Sequence, residues 1–199
     1  MAEDAGRERI RTATLAAMAA ALPATQGHGP EWFESLRKKG AEQFRAHGLP
    51  KRKNEAWKYT GLGSWDQSGL ELNSTPGQGH GSAQLIPKPL VERDLSIEMF
   101  DGQFQAQVGD SPQGLTVLPL MEALNHGVTG LKELLESLSG SQSDSGPGFG
   151  FSALNSATLD AGLVIHVAPG INAGKITIGW SSGMGENPVL LNSRVCVIV

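Results

Sequence analysis

Cysteine is nearly absent, with Cys196 alone among 199 residues. One thiol cannot close an internal disulfide, and this chain by itself cannot supply the thiolates of a four-cysteine zinc site or an iron–sulfur cluster. A chain that folds without disulfides suits a reducing compartment. Tyrosine is equally scarce, with Tyr59 the single example. Long hydrophobic runs are missing too, because no stretch approaches the roughly 20 apolar residues that cross a bilayer. The alanine-rich segment 13–22 is short and follows Glu3, Asp4 and Glu8. No cleavage region follows it, so neither a signal peptide nor a transit peptide is expected. The chain also lacks an excess of positive charge. Its net charge of −4 and pI near 5.7 argue against nucleic acid as an obligate partner. These absences together predict a cytoplasmic protein with no membrane and no nucleic-acid partner.

Glycine, by contrast, is abundant at 26 residues. Much glycine with few aromatics predicts many turns and repeated short strands rather than a helical bundle. The length allows one medium domain or two small ones. Ile10, Leu15, Met18 and Leu22 give residues 3–22 a modest helical stripe. A breaker-rich connection, residues 23–30, follows. Phe33, Leu36, Gly40 and Phe44, widened by Trp32 and Ala41, then mark a second helix after Pro30. Gly48 is its expected left-handed cap, and Pro50 stops it from resuming. Residues 61–82 are loop-like and end in the low-complexity run GQGHGS. Leu95–Phe100 and Phe104–Val108 flank Asp101-Gly102, a hairpin signal. Short helices are expected around Leu118–Asn125 and Leu131–Leu138. The Gly/Ser-rich linker 139–148 forms the best internal boundary.

Beyond that linker, Leu163–Val167, Lys175–Gly179 and Arg194–Val199 read as short strands between turns. Val164 and His166 alternate with Ile165 and Val167, as one buried face requires. Such strands suggest the opening coils of a β-solenoid, although a sandwich would look similar. The last residues, Val-Cys-Val-Ile-Val, form an apolar strand with no turn or polar cap. They predict that residues follow Val199 and that the chain is a fragment.

Three stretches together resemble the SufB/SufD family of iron–sulfur cluster assembly scaffold proteins, and within it the SufD branch. The first, Gly48 to Thr60 (GLPKRKNEAWKYT), is similar to the segment that closes the family's N-terminal helical region. It carries Lys51 where threonine is common. The second, Phe151 to Gly170 (FSALNSATLDAGLVIHVAPG), is similar to a family segment containing Leu154, Asn155 and His166. It departs from the family pattern at Ala161-Gly162 and at Ala168-Pro169. The third is Pro188 to Val199. The resemblance runs with gaps from about Trp32 to the last residue, and none of its motifs is a catalytic signature.

The resemblance implies an α+β protein: an N-terminal helical region, then the first coils of a right-handed parallel β-helix, truncated. The corresponding organisation is a helical region (residues 1–62), a mixed connecting region (63–148) and the start of the β-helix core (149–199). It further implies a scaffold subunit that pairs with SufB and the ATPase SufC. ATP-driven movement of SufC would reshape the interface where a cluster is built from iron and persulfide sulfur. The complex handles the cluster, whereas no cofactor is expected on these residues; cluster ligands are expected beyond Val199. The motif residues Gly48, Leu49, Pro50, Arg52, Glu55, Trp57, Lys58, Tyr59, Leu154, Asn155 and His166 are expected to serve structure or interaction. The alternatives are a SufB-like sister subunit and an unrelated β-solenoid binding module.

Individual residues carry little sign of catalysis. Cys196 sits between valines and reads as a small buried hydrophobe. His166 lacks a second ligand at fixed spacing, and the other histidines, His28, His47, His80 and His126, are scattered. GQGHGS lacks the lysine of a phosphate loop. Half of the basic residues, Arg37, Lys38, Lys39, Arg45, Lys51, Arg52, Lys53 and Lys58, fall between positions 37 and 58. Glu31, Glu34, Glu42 and Glu55 dilute them into a solvated face. No nucleophile–base pair stands out, so the chain is expected not to be an enzyme. Glu55 and Lys58, three apart, are expected to pair on a helical turn. Trp57 and Tyr59 are expected to pack against the β-region.

Overall fold

A computed structural model describes residues 29–50, 53–60, 62, 71–72, 95–109, 111–140, 148–183 and 189–199. The expected helix over 3–22, the GQGHGS run, Lys51, Arg52 and residues 141–147 of the linker lie outside them. The chain divides into two compact units.

The first unit takes residues 1–74, 135–158 and 187–190. Helix α1, Glu31–His47, begins after Pro30 and ends at Gly48. Gly48 has φ 63° and its N–H donates to the Phe44 carbonyl, but its ψ of −165° puts it in the extended positive-φ region rather than the expected left-handed cap conformation, a region that only glycine enters readily. Phe33, Leu36, Arg37, Gly40, Ala41 and Phe44 form the buried face, which is the expected stripe with an arginine added. A short 3-10 turn, Glu55–Trp57, follows. Strands β1 (Glu71–Leu72) and β7 (Val189–Leu190) pair in parallel.

Helix α1 packs on a helix that the sequence pattern does not predict, Phe149–Thr158. Its sequence, FGFSALNSAT, is rich in glycine, serine, threonine and asparagine, all poor helix formers. Those small side chains are what permit close packing. A Cβ on Gly40 would lie 2.8 Å from the Ala157 nitrogen and 2.9 Å from the Ala153 carbonyl oxygen. The helices therefore meet backbone to backbone, and Ala41, Phe44, Ala153, Leu154 and Ala157 fill the core, with Leu49 and Leu190 against it.

The second unit takes residues 75–134, 159–186 and 191–199. Strands β2 (Leu95–Phe100) and β3 (Gln103–Gly109) form the expected hairpin, with a bulge between Glu98 and Met99. Asp101 at φ 47° and Gly102 at φ 79° turn it, the left-handed pair that a tight hairpin demands. The Asp101 carboxylate accepts from the Gly183 N–H at 3.0 Å. Strand β6 (Ile176–Ser181) runs parallel to β2 on its other side. The second sheet has the order β4–β5–β8. Here β4 (Leu115–Pro119) pairs antiparallel with β5 (Ala161–Val167), and β8 (Ser193–Ile198) pairs parallel with β5. Leu95, Ile97 and Met99 meet Leu115, Leu163, Ile165 and Val167 in one core.

Numbering the helices in chain order, α2 is Leu120–His126, α3 is Leu131–Gly140 and α4 is Phe149–Thr158. Helix α2 packs on β5. Strand β5 is central, and Val164 is as buried as Leu163 and Ile165. One-sided burial therefore fails for β5, because the middle strand of a sheet with a helix packed on it is shielded on both faces.

The chain is a small α+β protein, and the expected coils of a parallel β-helix are not seen among the described residues. Each three-stranded sheet is mixed, with one antiparallel and one parallel pairing. The sequence signals for the two architectures coincide, since both consist of short apolar strands separated by Gly and Pro turns. What departs from coiling is the antiparallel partner of each central strand, the β3 arm of the Asp101-Gly102 hairpin in one sheet and β4 in the other.

Candidate functional site

Gly48 closes the C-terminal end of α1, and both it and Trp57 of the Glu55–Trp57 turn lie against the start of α4. The Trp57 ring faces the Phe151 ring at 5.1 Å between centroids, with the planes tilted by 35°. His47 and Phe149 meet edge to face at 5.0 Å. A Cβ at Gly150 would overlap the Gly48 carbonyl oxygen, so the backbones of α4 and the α1 cap touch at that point. Of the residues that join the two elements, Phe151 opens the second family-like segment, whereas Phe149 and Gly150 lie outside all three such segments. The spacing Phe-Gly-Phe is the signal that could have flagged them.

The motif residues divide by burial. Gly48, Leu49, Pro50 and Trp57 are partly buried, and Leu49 packs on the α1–α4 core. Leu154 is buried in that core, and Asn155, on the same helix, is half-buried. Glu55, Lys58 and Tyr59 point to solvent. Glu55 and Lys58 pair as expected at 3.8 Å; both are exposed, so the pair contributes little. Tyr59 is 90% exposed, and its ring carries the Lys58 ammonium 5.4 Å from the centroid. Tyr59 therefore does not pack on the β-region, and Trp57 packs on a helix instead. His166 lies in the second unit, half-buried on β5 opposite Thr116 and Ile198.

The basic run over 37–58 predicts a solvated Arg37, yet this residue is only 3% exposed. Its Nε donates to the Ala157 carbonyl at 3.4 Å, and one terminal nitrogen pairs with Glu34 at 3.4 Å. The Ala157 carbonyl belongs to the last turn of α4, where no intrahelical donor is available. Arg37 thus caps α4 from α1, and its guanidinium also sits 5.9 Å over the Phe33 ring. The other terminal nitrogen and the Trp57 indole nitrogen have no hydrogen-bond partner among the described residues.

Cys196 is buried on β8 beside Val164 of β5. Burial raises its thiol pKa, and the neighbouring Arg194 opposes the rise. Burial also lowers the pKa of Arg194. A thiol held protonated in this way is a packing group at neutral pH. Among the described residues, no group of three or more His, Cys, Asp or Glu side chains could hold a metal ion, and no helix is long and apolar enough to cross a membrane.

The fold and this site define an α+β packing module in which Gly48, Leu49 and Trp57 pack on the distant helix Phe149–Thr158. Residues 19–177 match the family model for the SufBD protein N-terminal region. The chain belongs to the SufBD family of SUF-type iron–sulfur cluster assembly. No curated protein and no solved structure matches it.

Proposed function

We propose that the chain serves as a non-catalytic scaffold subunit of the SufD type, pairing with a SufB homologue and the ATPase SufC in a complex that assembles iron–sulfur clusters. The observation that carries this reading is the union of the two family-like segments. Trp57 of the first rests on Phe151 of the second, so the motif residues with burial go to architecture rather than to a reacting centre. The GLPKRKNEAWKYT segment supports the SufD branch over its sister. Nucleotide hydrolysis belongs to SufC in this reading, and the nascent cluster belongs mainly to SufB.

Partner preference tests the assignment. The chain is mixed in turn with purified SufB and SufD homologues, each with SufC, and the products are resolved by size-exclusion chromatography with light scattering. A SufD-type subunit enters a complex with SufB and SufC. A SufB-like subunit would instead select the SufD homologue, and that outcome would overturn the branch assignment.

A further inference from the structure

We draw no further inference here: the strongest candidate, the outer edge of strand β8, where Val195 and Val197 stand in register with the buried Leu163 and Ile165 of β5 yet are 37% and 54% exposed, carries none because nothing in the structure shows what covers it.

Discussion

Trp57 rests on Phe151, 94 residues further along the chain, with ring centroids 5.1 Å apart. The contact fastens the turn after α1 to the first turn of α4, and it does so mainly through area, because the indole N–H has no hydrogen-bond partner among the described residues. Trp57→Ala removes that area and should cost about 1–3 kcal/mol, below a fully buried tryptophan because Trp57 is partly exposed. Trp57→Phe keeps a ring and discards the unpartnered donor, so its loss should stay under about 1 kcal/mol. Urea titration and limited proteolysis after residue 50 check both, with cleavage accelerated in the alanine variant only.

Gly40 tests the backbone contact between α1 and α4. A methyl group there meets Ala157, Ala153 and Ser156 at 2.8–2.9 Å, and two of those neighbours are backbone atoms that cannot rotate away. Gly40→Ala gains helix propensity of about 1 kcal/mol on an exposed helix, but here overpacking of about 1–3 kcal/mol outweighs it. A net loss of stability is expected by thermal denaturation. A gain would mean that the helices are not in contact at this position.

Arg37 offers a comparison of two substitutions. Arg37→Ala removes one donor to the Ala157 carbonyl and opens a cavity, at a cost of about 2–4 kcal/mol. Arg37→Met also loses the donor but fills the volume and removes a buried charge. Methionine should therefore be the more stable of the two variants by denaturant titration, with the difference set by packing rather than by charge.

The Cys196 thiol gives a pH dependence. Its folded pKa lies above the unfolded value because burial disfavours the thiolate. The unfolded chain consequently loses its proton first, and the contribution is complete below the unfolded pKa. It declines as pH rises above about 8.5 toward the folded value. Stability should fall over this alkaline range in the wild type and fall less in Cys196→Ala. The native thiol should also react slowly with a disulfide reagent at pH 7.5 and rapidly once denatured.

Much of the fold was legible from residues. The α1 stripe, its Gly48 cap, the Asp101-Gly102 hairpin and the strands around Leu163, Ile176 and Arg194 follow from period and turn chemistry, which act locally. Helix α4 was not legible, because half of its residues are poor helix formers and the residues it packs on, from Gly40 to Trp57, lie about 100 positions earlier. Arg37 was hidden for a similar reason, since its burial is decided by a carbonyl 120 positions away. Strand pairing was the other failure. Short strands between glycines do not encode whether a neighbour arrives parallel or antiparallel, and the structure shows mixed sheets in place of a β-helix. Of the site, the segment 48–60 was legible as a motif, but its division into an inward Trp57 and an outward Tyr59 needed the turn geometry.

Co-expression of the chain with SufB and SufC homologues, followed by purification and anaerobic cluster reconstitution, tests the central claim most directly. The account predicts one stable complex holding all three proteins, ATP hydrolysis that requires SufC, and a cluster that stays with SufB when the complex is dissociated. A chain that binds neither homologue, or that turns over substrate or retains the cluster alone, would contradict it.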